Sequence, residues 1–407
     1  MSLIRPFAGL RPLPERANEV VAPPYDVLNS EEARERAAGR PWSFLHISKA
    51  EIDLPEGTDP YDPAVYARAA ENLERMLQAG ILKRDPKPVY YVYRLTMGDH
   101  SQTGLVAAAS VAEYDRNRIR KHEFTRPAKE DDRVRQIEAL NAQTGPVLLA
   151  YRAQPEVDQL IESVTSSPPE YDLEADDGVR HTLWVVDDEQ LIRRLTEAFD
   201  RMDAIYIADG HHRSAAASRV AASLNRGPDA MSSYFLSVIF PHDQMKILDY
   251  NRVVKDLNGL GKEELLQRIG ESFDIRQEQQ PVSPARPGEF GMYLDGHWYR
   301  LNIHPELVPE DPVARLDVSL LADHLLRPLL GIEDPRTDPR IDFVGGIRGL
   351  GELEKRVDSG EMALAFSMYP TSMDDLMAVA DADEVMPPKS TWFEPKLADG
   401  LVSHVLD

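Results

Sequence analysis

The stretch AIYIADGHHRSAAASRVAASL (Ala204–Leu224) limits the fold more than any other part of the chain. Ile205 to Ala208 form an apolar and aromatic run that reads as a buried strand. The small residues after Arg213 read as a helix, and only Asp209–Arg213 separate the two. A strand that becomes a helix within so few residues belongs to an α/β or mixed α+β core. The same alternation recurs nearby. HTLWVVD (181–187) reads as a strand, EQLIRRLTEAF (189–199) as a helix, and SSYFLSVIF (232–240) as another buried strand.

Upstream, PVYYVYRLTM (88–97) is rich in valine and tyrosine, and TGLVAAASVAEY (103–114) reads as its antiparallel partner across a turn at Gly98-Asp99. WSFLHIS (42–48) reads as a strand. In residues 62–85, Val65, Ala69, Leu73, Met76 and Leu77 recur at helical spacing, and Gly80 ends the helix. Residues 129–141 read as a helix and PVLLAY (146–151) as a strand. In the last third, GMYLDGHWYRLNI (291–303) reads as a hairpin around Asp295-Gly296, and the glycine-rich VGGIRGLGELEK (344–355) as a loop. The expected fold is α+β in three parts: an N-terminal segment 1–87, an α/β core 88–258, and a C-terminal α+β subdomain 259–407 with a polar, proline-broken tail.

Composition removes several function classes. The net charge of −23 over 407 residues argues against sequence-independent nucleic-acid binding, which needs cationic side chains to neutralise phosphates. There is no cysteine, so disulfides, thiolate metal sites and cysteine nucleophiles are excluded. The N-terminus has no apolar core of a secretory signal, and no window approaches the roughly 18 apolar residues of a membrane span. A cytoplasmic protein is the expectation.

The Asp209–Arg213 turn carries the clearest chemistry. A helix start presents backbone N–H groups and the positive end of the helix dipole, which together attract anions. Gly210 lets the backbone approach closely, and Arg213 offers a planar grip on phosphate. His211 and His212 add donors, and Asp209 suits a metal contact, a hydroxyl contact or a general base. The competing view is a capping aspartate and a polar cap layer. The density of polar groups directly after IYIA favours a site. Adjacent histidines diverge on a helix, so this is no zinc signature.

YIADGHHRSAAA resembles the corresponding turn of the ParB-like/sulfiredoxin superfamily, in which such a turn holds nucleotide phosphates. RPFAGLRP, PPYDVL, SFLHISKAEIDLP, TGLVAA, IRKHEFTRPAKEDDR, ILDYNRVVKDLNG, RIDFVGG and MPPKSTWFEPKLADGL extend a resemblance along nearly the whole chain. On these blocks the chain is identified as a member of the family numbered 1015 among domains of unknown function. The resemblance implies an elaborated ParB/sulfiredoxin-like core with added N- and C-terminal subdomains. It also implies an ATP-dependent kinase of free L-serine, with ATP and Mg²⁺ as its nucleotide and metal.

Phosphoryl transfer needs a phosphate cradle, a metal and a carboxylate that orients or deprotonates the attacking hydroxyl. Gly210, His211, His212 and Arg213 are the expected cradle, with Asp209 among the catalytic candidates. Glu123 is the expected base, with His122 beside it, and Asp131 and Asp132 are the expected Mg²⁺ ligands. Lys389, Ser390, Thr391 and Lys396 in the tail could close over the nucleotide. Tyr25 and Asp26, after a rigid diproline, are expected in the substrate pocket. Neither a P-loop nor a protein-kinase motif set is present. Two other functions compete: a CTP- or ATP-binding regulator of the ParB-like type, and a phosphatase- or nuclease-like hydrolase. The expected partners are a small-molecule substrate and a nucleotide, with no nucleic acid and no membrane; a homodimer is an open expectation.

Overall fold

Buried valine, isoleucine and tyrosine runs pair as the sequence predicts, and they build a large mixed sheet. The computed structural model describes residues 2–407. The chain forms two compact units, one from the N-terminus to Met245 together with Pro395–Asp407, the other Lys246–Glu394.

The first unit holds a nine-stranded sheet: β1 (Ile4–Arg5), β2 (Tyr90–Met97), β3 (His100–Ser110), β4 (Ile119–Arg120), β5 (Val147–Tyr151), β6 (Tyr171–Glu174), β7 (Arg180–Val186), β8 (Ile205–Asp209) and β9 (Tyr234–Pro241). Their order is β4-β8-β5-β9-β3-β2-β7-β6, with β1 beside β3. Met97 faces His100 across the two-residue turn Gly98-Asp99, as expected. β3 stops at Ser110, whose hydroxyl caps a short helix, Val111–Asp115, so the expected strand to Tyr114 is shorter. The core beneath this sheet includes Leu105, Leu149, Ile207, Phe235 and Ile239, each at most 2% exposed. Burying each such side chain stabilises the fold by about 1.5–3 kcal/mol.

Three helices pack in series: α1 (Pro63–Gln78), α2 (Pro127–Leu140) and α3 (His211–Leu224). Asp62 caps α1 by accepting from the Ala64 N–H, and Pro63 starts it without losing a hydrogen bond. The expected strand 42–48 is instead a helical turn, Leu45–Ser48. Phe44, Leu45 and Ile47 are all buried against one cluster that includes Val65 and Ala69 of α1. Successive side chains of a strand point to opposite faces, so a strand could not place the neighbours Phe44 and Leu45 together there. Residues 1–87, expected as a separate segment, are tied to this unit. β1 joins its sheet, Leu10–Pro12 pairs with Leu82–Arg84, and Phe7 bridges Val89. The C-terminus returns to the same unit. Ser403 bridges Leu10, Asp399 bridges Ala22, and His404-Val405 pairs with Ala142-Gln143.

The second unit is a six-stranded antiparallel sheet in the order Phe273–Glu278, His297–Ile303, Glu289–Leu294, Leu364–Ser367, Tyr250–Val254, Ile341–Gly345. The predicted hairpin turns at Asp295 and Gly296, both with positive φ. The stretch expected as a loop, 344–355, enters a helix at Leu350, which runs to Asp358 and buries Leu353. Among the described residues no helix is long and apolar enough to cross a membrane.

Candidate active site

β8 and α3 meet at Gly210, whose φ of +102° is open to glycine and strained for other residues. Gly210, the N-cap of α3, has no side chain to cap the helix's first N–H groups. Parallel pairing of β4 with β8 sets Ile119 beside Ile205 and Arg120 beside Tyr206. Running in the same direction, the chain after β4 carries His122 and Glu123 to the end of β8. The backbone N–H of His122 donates to Nε2 of His211 at 3.3 Å, and the two rings stand edge to face at 4.5 Å. Oε2 of Glu123 lies 3.6 Å from Nδ1 of His211, and Oε1 lies 3.8 Å from Nε2 of His122. The two polar blocks, more than 80 residues apart in sequence, therefore share one site.

The electrostatics follow from burial. His122 is 0% exposed, and neither ring nitrogen makes a well-formed hydrogen bond. Burial lowers its pKa to about 4, against weaker pulls from the Ile207 backbone and Asp209. Burial also pushes His211 well below its ordinary range, reinforced by the charges of His122, His212, Arg213 and Lys121. His212 is lowered by burial and by Lys129 and Arg126, and its Nε2 accepts from the Arg126 N–H at 3.0 Å. Because Nε2 of His211 accepts a hydrogen bond, its single proton resides on Nδ1, facing Glu123. His122 is sealed from solvent and contacts His211 and Glu123.

Asp209 keeps 41% of its side chain exposed. The protein packed around it opposes ionisation, but Arg213, Lys396, the Gly210 N–H and His122 together hold its pKa below the ordinary value. Arg213, expected to grip phosphate, faces the interior. It is only 10% exposed and turned inward, donating to the Pro146 carbonyl, 3.3 Å from Asp209 and 3.7 Å from Asp26. Tyr25 lines a small, partly open cavity with Arg133, Gly145, Arg213 and Asp399. Asp26 does not line this cavity but lies 3.7 Å from Arg213, and the charge of Lys396 bears on Asp209.

Asp131 and Asp132 do not fit the expected role of Mg²⁺ ligands. Asp131 pairs with Arg219 at 2.7 Å on the surface. Asp132 is buried, accepts from the Tyr66 hydroxyl at 2.7 Å and holds Nε and a terminal nitrogen of Arg133 at 2.9 and 2.6 Å. Consecutive helical positions point apart, which divides the pair. Among the described residues no group of three or more histidine, aspartate or glutamate side chains is arranged to hold a metal. Asp132→Ala should therefore lower stability by about 3–5 kcal/mol, because it strands a buried guanidinium. Urea unfolding measures this; unchanged stability with an altered Mg²⁺ requirement would restore the metal role.

The tail residues divide between the units. Lys389, Ser390 and Thr391 belong to the second unit, and Lys396 to the first. The Ser390 hydroxyl donates to the Pro387 carbonyl and is buried, so it is not presented to a phosphate. The Lys389 ammonium lies 5.7 Å from the Tyr250 ring centre, and Thr391 is half-buried. Sequence reasoning gave Arg133 no role beyond membership of the charged 119–133 block and missed Asp399. Asp399 did leave a signal, an acid within the otherwise apolar LADGL.

A two-unit α+β protein with a strand–glycine–helix turn and a half-exposed carboxylate, Glu123, set against its first helical residue is the class that fold and site define. The chain belongs to the family described as "Protein of unknown function (DUF1015)", whose model matches residues 4–319. No curated protein matches. Among solved structures, a free serine kinase in complex with AMP is similar at 15% identity, over 73% of this chain and 92% of that one, with a TM-score of 0.35. SbnI with a C-terminal truncation, from Staphylococcus aureus, is similar at 13% identity, over 73% and 86% of the two chains, with a TM-score of 0.39. A conserved hypothetical protein from Pyrococcus furiosus matches at 15% identity, over 73% and 94%, with a TM-score of 0.35.

Proposed function

We propose that the protein transfers the γ-phosphoryl group of ATP to the hydroxyl of free L-serine, giving O-phosphoserine and ADP. The observation that carries this reading is the meeting of Glu123 with the Asp209–Arg213 turn through the His122–His211 contact. The uncapped start of α3 cradles phosphate with its N–H groups. Glu123 takes the proton of the attacking hydroxyl as the new O–P bond forms and the bond to the leaving ADP oxygen breaks. Asp209, held ionised, orients that hydroxyl. His211 directs its Nδ1 proton at Glu123 and fixes the carboxylate. The Asp131–Asp132 pair holds no metal, so Mg²⁺ enters no step derived from this chain's residues.

The strand–turn–helix of β8 and α3 is read as the ParB/sulfiredoxin-like element of the core. ATP and free serine are cytoplasmic solutes, and the reading carries that setting. The test incubates the protein with ATP, Mg²⁺ and L-serine and follows O-phosphoserine by mass spectrometry. Stoichiometric formation of O-phosphoserine and ADP is expected. No phosphorylated product from L-serine or other small hydroxyl compounds, at high protein concentration, would overturn it.

A further inference from the structure

We propose that the cavity lined by Tyr25, Arg133, Arg213 and Asp399 is a subsite for a small zwitterionic α-amino acid, with Asp399 taking its ammonium group and the two guanidiniums its carboxylate. The identity of the acceptor rests on the phosphoryl-transfer reading; the zwitterion chemistry rests on the cavity itself.

Asp399 is the unusual group. It is 1% exposed, and neither carboxyl oxygen makes a well-formed hydrogen bond. Apart from a weak contact with the Tyr25 backbone and the charges of Arg213 and Arg133, the carboxyl has nothing to replace the water lost on burial, a cost on the order of a few kcal/mol. The fold nevertheless fixes it in place. Its backbone N–H donates to the Ala22 carbonyl at 2.9 Å, and the Ala22 N–H returns a bond of 3.1 Å. That bridge lies immediately before Pro23-Pro24, which lead the chain to Tyr25. Burial drives the Asp399 carboxyl up to about 8, opposed by Arg213 and Arg133 and helped by Asp26. A carboxyl in that setting gains much from a cation brought against it.

The opposite charge is supplied by rigid groups. Arg133 is 13% exposed, clamped by Asp132 and stacked 3.8 Å from the Tyr25 ring centre. Arg213 is fixed by Pro146 and Asp209. Planar guanidiniums match a carboxylate's two oxygens. Gly145 borders the same space, where an added Cβ would lie in ordinary van der Waals contact, 3.4 Å from Arg213 Cδ and 3.8 Å from Asp399 Oδ1. The cavity thus offers one buried acid and two buried bases, the charge pattern of an amino acid's own ends in reverse. Arg213 also links the cavity to the phosphate turn, because the same guanidinium lies 3.3 Å from Asp209.

The test is calorimetric titration of the full chain without nucleotide, using L-serine, 3-hydroxypropionate (no amine) and ethanolamine (no carboxylate). L-serine should bind at least about tenfold tighter than either truncated analogue, because each leaves a buried charge unpaired. Asp399→Asn should remove that advantage over 3-hydroxypropionate while leaving 3-hydroxypropionate affinity within about threefold, since only the ammonium partner changes. Equal binding of the three probes, no binding of L-serine, or wild-type L-serine affinity in Asp399→Asn would overturn the proposal. If Asp399→Asn fails to fold, the wild-type probe series decides alone. Serine binding without O-phosphoserine formation would sink the kinase reading and leave this one standing. Turnover with unchanged KM in a folded Asp399→Asn would do the reverse.

Discussion

Asp209→Asn should cut phosphoryl transfer by about 10²–10⁴-fold in kcat, the range for removing a group that acts on the transferred proton or its hydroxyl. The substitution is nearly isosteric, so shape is kept and only the charge goes. The charge matters because the local field is built around it. Arg213 lies 3.3 Å away, Lys396 adds a second positive charge, and the Gly210 N–H points to the carboxylate. An asparagine leaves those groups facing a neutral amide. KM for ATP should change little if the phosphate is held by the helix start, as proposed, rather than by this side chain.

Stability gives an independent check on Asp209. Its folded pKa is lowered, so its ionised form contributes stability above the ordinary aspartate range, and that contribution is lost as pH falls through the folded value. Asp209→Asn should therefore lower Tm slightly at pH 7, and the difference should shrink as pH approaches the aspartate range. A wild-type kcat in the variant would remove Asp209 from catalysis; a Tm gap that grows toward acid pH would reverse the sign of its pKa shift.

Local chemistry was legible in the sequence, and long-range pairing was not. The strand at 205–209, the glycine turn and the helix after it follow from apolar pattern and from Gly210. The block at 119–133 stood out by its charges. That the two meet depends on Ile119 lying beside Ile205, a register between strands far apart in sequence that periodicity does not encode. Asp399 was hidden for the same reason, because its setting is made by a bridge to Ala22 across most of the chain. The strand expected at 42–48 failed where tertiary burial of Phe44, Leu45 and Ile47 overrode β propensity. Asp131 and Asp132 looked like a metal pair in sequence, yet helical geometry points one to solvent and the other to Arg133.

Glu123→Gln should cost about 10²–10⁴-fold in kcat if this carboxylate receives the acceptor's proton. Geometry selects it over its neighbour. Glu123 keeps 42% of its side chain exposed, whereas His122 is sealed from any substrate. The histidines still matter, because the His122 N–H fixes the tautomer of His211 and so aims a proton at Glu123 Oε2. A glutamine keeps the size and loses the base. If Glu123 and Asp209 act on one hydroxyl, as proposed, the double variant Glu123→Gln, Asp209→Asn should be little worse than the poorer single variant. Full additivity of the two losses, measured as log kcat under saturating ATP and L-serine, would mean that the carboxylates serve separate steps. A single-variant loss under about tenfold for Glu123→Gln would demote Glu123 to a positioning group, for a general base rarely costs so little.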